Sequence, residues 1–261
     1  MPNFAGNLTF LFTELPFMER FSAARKAGFQ AVEFMSPYEF DMAEIKSRLK
    51  ETGLRLILCN LPAGNWAGGD RGTACNPERK AEFREGVARC IEAARVLGFD
   101  RTNCLVGLKP EALSDEAAWE TSVENVRFAA TALGQEGVRL MVEPINRFDM
   151  PGFALNTATE VLKMIEEVNH PNAYLQFDTY HTRREGEDVT AILRNHLDRI
   201  GHIQIADFPG RHQPGTGETD FRFLLPEIDR LGYKGFVSME YIPTPDTFTS
   251  LQWLASYGYS L

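Results

Sequence analysis

The sequence predicts an α/β fold, a closed parallel (β/α)8 TIM barrel built by residues 1–261 as a single domain. Three observations carry this. Eight short apolar runs alternate with eight longer helical patterns from end to end. The same helix–glycine–strand joint recurs along the chain. A length of 261 residues with 44% hydrophobic content suits one barrel, which commonly takes about 250 residues.

The elements follow in order. A strand over Phe4–Phe12 leads to a helix over Pro16–Ala27, which Gly28 ends before a strand at Ala31–Met35. The helix Met42–Thr52 stops at Gly53 and the third strand, Leu54–Leu61, begins at once. A glycine-rich stretch, Gly64–Gly72, precedes a helix over Pro77–Leu97, closed by Gly98 before a strand at Thr102–Val106. The helix Asp115–Gln135 and Gly137 introduce the strand Arg139–Glu143. Then come the helix Ala158–Val168, the strand Ala173–Asp178, the helix Val189–Leu197 and the strand His202–Ala206. The helix Phe221–Leu231, ended by Gly232, leads to the strand Phe236–Tyr241, and a last helix covers Thr247–Tyr257. Glycine past a helix takes the left-handed conformation without steric cost, and the aromatic that follows at Phe29, Phe99 and Tyr233 packs back on the helix. An open doubly wound sheet is the runner-up, because alternation alone does not show closure. No Gly-x-Gly-x-x-Gly follows the first strand, which disfavours a dinucleotide-binding version.

Composition narrows the function classes. A formal charge of −9 disfavours a nucleic-acid binder, and it requires an anionic substrate to find local cations. No apolar run is long enough to span a bilayer, and the N-terminal residues lack the basic start and apolar core of a signal peptide. Cys59, Cys75, Cys90 and Cys104 form no Cys-x-x-Cys pair, so reduced, buried thiols in a cytoplasmic protein are expected. Neither nucleic acid nor membrane is expected as a partner, and a homo-oligomer is left open.

Polar groups concentrate after the strands, the face where barrel active sites lie. Glu143 ends a buried apolar strand, and Pro144 then stops regular pairing. Asp178, Gln204 and Glu240 hold matching places on the next three strands. Three carboxylates and an amide oxygen make a hard, oxygen-rich set, which suits Mg²⁺, or Mn²⁺, better than zinc. Glu143, Asp178, Gln204 and Glu240 are therefore the candidate metal ligands. A cation flanked by Glu143 and Glu240 suits proton transfer beside a carbonyl, one carboxylate removing the proton and the other returning it. Direct ligation would lower a carboxylate's pKa and weaken it as a base, so the two roles compete.

The substrate-binding candidates are His181, Arg211, Arg71, Asn60 and Lys109. His181 lies just beyond Asp178, placed to donate to a substrate oxygen or to orient a ligand. Arg211 and Arg71 are the favoured partners for a substrate carboxylate, through the guanidinium fork. The Gly64–Gly72 loop has the composition of a mobile lid carrying Trp66 and Arg71.

Taken together, several motifs resemble hydroxypyruvate isomerases: Asn60-Leu61-Pro62-Ala63-Gly64-Asn65-Trp66-Ala67, Asn103-Cys104-Leu105-Val106-Gly107, Glu143-Pro144-Ile145-Asn146, His202-Ile203-Gln204-Ile205-Ala206-Asp207 and Pro214-Gly215-Thr216-Gly217-Glu218. The likeness extends from Arg20-Phe21 to Glu240-Tyr241. It implies a xylose isomerase-like TIM barrel that interconverts hydroxypyruvate and tartronate semialdehyde, so that its partner is a small oxo-acid substrate. It also implies that Glu143 and Glu240 are the acid/base pair and that the metal site falls on Glu143, Asp178, Gln204 and Glu240. In neighbouring sugar epimerases the third of these positions is commonly histidine. The alternatives are a 2-oxo-tetronate isomerase or a ketose 3-epimerase on the same scaffold. A DNA-repair endonuclease of this superfamily resembles a histidine-rich zinc site. With five histidines, of which His181, His202 and His212 lie near the relevant loops, and an acidic charge, that reading is disfavoured. The intact carboxylate set argues against an inert binding protein.

Overall fold

The computed structural model describes residues 1–261 and shows eight parallel strands closed into a barrel in chain order. The strands are β1 (Asn3–Asn7), β2 (Ala31–Glu33), β3 (Arg55–Asn60), β4 (Arg101–Cys104), β5 (Arg139–Val142), β6 (Ala173–Asp178), β7 (Ile200–Ile205) and β8 (Phe236–Met239). The helices are α1 (Phe17–Ala27), α2 (Met42–Thr52), α3 (Lys80–Leu97), α4 (Asp115–Gln135), α5 (Ala158–Val168), α6 (Thr179–Arg184), α7 (Val189–His196), α8 (Phe221–Arg230), α9 (Thr247–Ser250) and α10 (Trp253–Ser256). β1 pairs with both β2 and β8, which closes the cylinder and rules out the open sheet.

The two-residue period of a strand sorts its side chains between two faces. Along β5, Leu140 and Val142 join the large apolar cluster that includes Leu133 of α4 and Ile165 of α5. Met141 joins a separate small cluster with Ala5, Ala31, Ile57 and Leu58. Glu143 continues the Met141 face one step beyond the strand, and Pro144 follows it. Register aligns the next candidates: Asp178 pairs with Gln204, and Gln204 pairs with Ser238 two residues before Glu240.

Helix ends follow their sequence signals. Asp41, Ser114 and Thr157 cap α2, α4 and α5 through side-chain oxygens, and Thr157 forms a full capping box with Glu160. Gly28 and Gly98 close α1 and α3 at φ of 110° and 82°.

Four expectations differ. The first strand stops at Asn7, not Phe12. Asn7 Oδ1 accepts from the Thr9 N–H at 2.9 Å, and the Leu11 N–H bonds the Asn7 carbonyl at 2.8 Å, so the chain turns. Leu8, Leu11 and Phe12 are still fully buried, but as a turn. The third helix opens with a 3₁₀ turn, Pro77–Arg79, before α3. The last helix is two short pieces, α9 and α10. The short α6 was not foreseen: Asp178 caps it, and six residues carry too little periodicity to announce it. All four cysteines are buried and unpaired. No helix is long and apolar enough to cross a membrane.

Candidate active site

Glu143, Asp178, Gln204 and Glu240 are all buried, and the strand ends bring them to one mouth of the barrel. That mouth holds a cavity of about 830 Å³, whose lining includes Asn60, Glu143, His181, Arg211 and Glu240. The juxtaposition expected from the strand-end pattern is present.

Glu240 is saturated with donors. Its Oε1 accepts from Arg211 Nη2 at 2.7 Å. Its Oε2 accepts from Asn7 Nδ2 at 2.7 Å and from Gln204 Nε2. Burial still pushes its pKa well above the usual carboxylate range; Arg211 opposes this, and Glu143 and Asp178 add to it.

Gln204 is placed differently from the expected metal ligand. The amide atom that faces the carboxylates of Glu33 and Glu240 must be the NH₂, because carboxylates only accept. Its oxygen therefore turns to Gln176, whose Nε2 donates to it at 2.8 Å. Gln204 acts here as a donor that holds Glu240, and its oxygen is occupied.

Glu143 and Asp178 keep free oxygens. Asn103 Nδ2 donates to Glu143 Oε2 at 2.6 Å, while Glu143 Oε1 is buried without a partner. Asp178 Oδ1 caps α6 by accepting from the Tyr180 N–H at 2.7 Å, while its Oδ2 forms no hydrogen bond. Oδ2 stands 3.6 Å from Arg211 Nη2 and 3.7 Å from His181 Nε2. Burial first, and then the charge of Asp178, raises the Glu143 pKa to about 8. Burial, partly offset by Arg211, raises that of Asp178 to about 6. Two buried carboxylates that each leave an oxygen unpaired are the arrangement a cation would complete. By position alone, Glu143, Asp178 and His181 each offer one atom, all within 4.8 Å of one another.

His181 is buried on the first turn of α6. Burial and the nearby Arg211 and Arg184 hold its pKa well below the ordinary value, so its approach to Asp178 is not an ion pair. Its Nδ1 meets Asn146 Nδ2 at 2.7 Å.

Arg211 enters from the loop after β7 in a left-handed conformation, φ 55°. Asp207 anchors that loop: its carboxylate accepts from the backbone N–H groups of Gly215, Thr216, Gly217 and Thr219 at 2.8–3.0 Å. The Ile242 N–H also bonds the Arg211 carbonyl at 2.8 Å. The guanidinium sits over the rings of Phe10 and Tyr180. Burial works against its charge, but Glu240, Asp178 and Glu143 together hold its pKa above the ordinary value.

Two predicted substrate contacts are not brought to the site. Arg71 donates from Nη1 to the carbonyls of Trp66 and Asp70 and stacks on the Trp66 ring at 4.0 Å, so its guanidinium is held on its own loop. That loop is pinned further by Asp70, which Arg79 clasps with two bonds of 2.7 Å. Lys109 donates to the Leu113 carbonyl at 2.8 Å and pairs with Asp115 at 3.2 Å. Asn60 does line the cavity.

Sequence reasoning gave no role to Glu33, His202, Asn7, Asn103 or Asn146. Glu33 and His202 form a fully buried contact of 2.6 Å. Burial alone would raise Glu33, but His202, with a hydrogen bond from Gln204, brings its pKa below the ordinary value. A charged residue in an apolar strand was the available signal for Glu33; its partners lie too far along the chain to be found by spacing.

Comparison with known proteins follows the same outline. The family profile described as xylose isomerase-like TIM barrel matches residues 21–257. The chain is 45% identical to hydroxypyruvate isomerase of Escherichia coli, over 98% of this chain and 100% of that protein. It is 42% identical to 2-oxo-tetronate isomerase of Cupriavidus necator, over 98% and 99%. A crystal structure described as AP endonuclease, family 2, from Brucella melitensis superposes with a TM-score of 0.95 at 38% identity, over 98% and 99% of the two chains.

Proposed function

Because this chain belongs to the xylose isomerase-like TIM-barrel family, we propose that it is an isomerase interconverting hydroxypyruvate and tartronate semialdehyde. The observation that carries the proposal is the pair of buried glutamates, Glu143 and Glu240, facing one cavity, with the guanidinium of Arg211 bonded to Glu240. The 45% identity to hydroxypyruvate isomerase over the full chain supports the substrate.

One glutamate removes a proton from C3 of hydroxypyruvate, and the electron pair of that bond forms the C2–C3 double bond. The C2 carbonyl oxygen becomes the enediolate oxygen. The other glutamate then delivers a proton to C2, while the C3 hydroxyl passes its proton to the C2 oxygen, so that C3 becomes the aldehyde carbonyl and C2 carries the hydroxyl. A carboxyl raised towards neutrality by burial is suited to both halves of this exchange, since its proton is neither too tightly nor too loosely held at working pH. Arg211 offers the substrate carboxylate a cation, and His181 offers a substrate oxygen a neutral N–H. Glu143 and Glu240 are both buried, which limits the water able to protonate the enediolate at random.

A divalent cation fits this site, because Glu143 Oε1 and Asp178 Oδ2 are buried polar atoms without partners. Those two carboxylates would hold it. Mg²⁺ suits a site of one or two carboxylates completed by water and substrate oxygens, and Mn²⁺ follows the same logic. Once bound, such an ion supplies positive charge to offset the negative charge that develops on the substrate oxygens.

A second reading, 2-oxo-tetronate isomerisation, is favoured by the 42% identity to that enzyme and by a cavity of about 830 Å³, roomy for a three-carbon acid. The discriminating experiment assays the purified protein with Mg²⁺ on hydroxypyruvate, 2-oxo-tetronate and ketohexoses, alongside the Glu143→Gln and Glu240→Gln variants. The proposal expects the highest kcat/KM on hydroxypyruvate, and loss of turnover in both folded variants. Preference for the four-carbon acid selects the second reading. Full activity in either variant refutes the acid/base assignment.

A further inference from the structure

We infer that Asn146 is a positioning residue that decides which nitrogen of His181 carries the proton, keeping this histidine a hydrogen-bond donor to the cavity and out of the metal's ligand set.

The orientation of the Asn146 amide is fixed locally. Its Oδ1 accepts from the Phe148 N–H at 3.1 Å and the Asp149 N–H at 2.8 Å, so the atom facing those two donors is the oxygen. Its Nδ2 therefore faces Asp149 Oδ2 at 3.0 Å and His181 Nδ1 at 2.7 Å. Asp149 is itself held, by the Tyr180 hydroxyl at 2.8 Å and by Arg184 at 3.1 Å. The backbone N–H of Asn146 points at the same Nδ1 from 3.3 Å. Two donors converging on one ring nitrogen require a lone pair there. A neutral imidazole carries one N–H, so the proton sits on Nε2.

The consequence bears on the metal. A metal-bound histidine usually donates its other ring N–H to a carboxylate or carbonyl. His181 does the opposite, because its distal nitrogen accepts. A protonated Nε2 has no lone pair for a cation. Position alone places His181 with Glu143 and Asp178, but the hydrogen bonds behind it reserve it as a donor. The use of that donor by a substrate oxygen rests on the isomerase reading; the tautomer does not.

The test is two-bond ¹⁵N–¹H correlation NMR on chelator-treated protein labelled at histidine, with the His181 signals identified by their loss in His181→Gln. The Nε2–H tautomer is expected, and an Nδ1–H tautomer in the unaltered protein overturns the inference without the need for any Asn146 variant. The double variant Asn146→Asp/Asp149→Asn then replaces the donor facing Nδ1 with an acceptor, and the second change removes the carboxylate that would repel it. The tautomer is expected to switch to Nδ1–H. Zn²⁺ affinity by calorimetry should rise at least ~10-fold, because a bare Nε2 joins two carboxylates. Turnover of hydroxypyruvate should fall on the order of 10²-fold in kcat with little change in KM, as for loss of an oxygen-stabilising donor. An unchanged tautomer in the double variant also overturns the inference. If the protein does not isomerise hydroxypyruvate, that failure shows in the activity assay while the tautomer and zinc measurements still decide this point.

Discussion

Glu33 and Glu240 share the same two amide donors, although Glu33 does not line the cavity. Asn7 Nδ2 lies 3.0 Å from Glu33 Oε1 and 2.7 Å from Glu240 Oε2, and Gln204 Nε2 reaches the same two oxygens. An NH₂ group has two hydrogens, so each amide spends one on either carboxylate. The position of Glu240 is thereby set from inside the barrel by Glu33, which His202 anchors in turn.

Replacing Glu33 with Gln is therefore expected to act twice. It strands His202 without its carboxylate and turns an acceptor into a group with its own N–H bonds facing two amides. Breaking a buried pair of this kind costs about 3–5 kcal/mol, which lowers Tm by roughly 10 °C in a domain of this size. The kcat should fall as well, because Glu240 loses its seat. Calorimetry and steady-state assays check both; an unchanged Tm contradicts the account.

The raised carboxyls give a pH dependence with a definite sign. Glu143 at about 8 and Asp178 at about 6 bind protons more tightly folded than unfolded, where carboxyls titrate near 4. Their contribution to stability is complete below about pH 4 and is lost as pH rises, through about 6 for Asp178 and about 8 for Glu143. Chelated protein should thus lose Tm across pH 5–8. Metal affinity should instead climb over that range, with protons released on binding, because the cation needs deprotonated ligands. Calorimetry in buffers of different ionisation enthalpy counts those protons, and a pH-independent affinity would count against the pair as the cation's seat.

Arg211, and not Arg71, is the cation expected to matter. Removing it in Arg211→Ala leaves Glu240 and Asp178 without their charge partner and should lower kcat/KM by at least ~10²-fold, with partial recovery in Arg211→Lys, which keeps the charge but not the fork. Arg71→Ala and Lys109→Ala should stay within about threefold, since both cations are spent on their own loops. A larger loss in Arg71→Ala than in Arg211→Ala would restore the lid reading of the Gly64–Gly72 segment.

What the sequence made legible was whatever local chemistry decides. Helices α2, α4 and α5 begin where expected because Asp41, Ser114 and Thr157 cap their N-termini. β6 matches its expected bounds because a short apolar run ends on Asp178. Glu143, Asp178, Gln204 and Glu240 met at one mouth because in-order parallel pairing leaves them nowhere else to go. The misses are of another kind. The amide contacts of Gln204 were not legible, because the orientation of an amide depends on neighbours: Glu33 is 171 residues away in the chain and Gln176 is 28. Arg71 turned onto Trp66, a choice among rotamers that spacing cannot make. The turn at Asn7 and the short α6 were set by single side-chain caps, at Asn7 and Asp178, that looked like strand residues.

The most direct test of the central claim follows hydrogen during turnover. Hydroxypyruvate is converted in heavy water with Mg²⁺ present, and the tartronate semialdehyde formed is trapped and examined by NMR or mass spectrometry. Proton transfer through Glu143 and Glu240 predicts solvent deuterium at C2 of the product, absent when either glutamate is changed to Gln. Product that keeps the original C3 hydrogen at C2, with no solvent label, would mean that the hydrogen moves directly between carbons and that the two glutamates do not carry it.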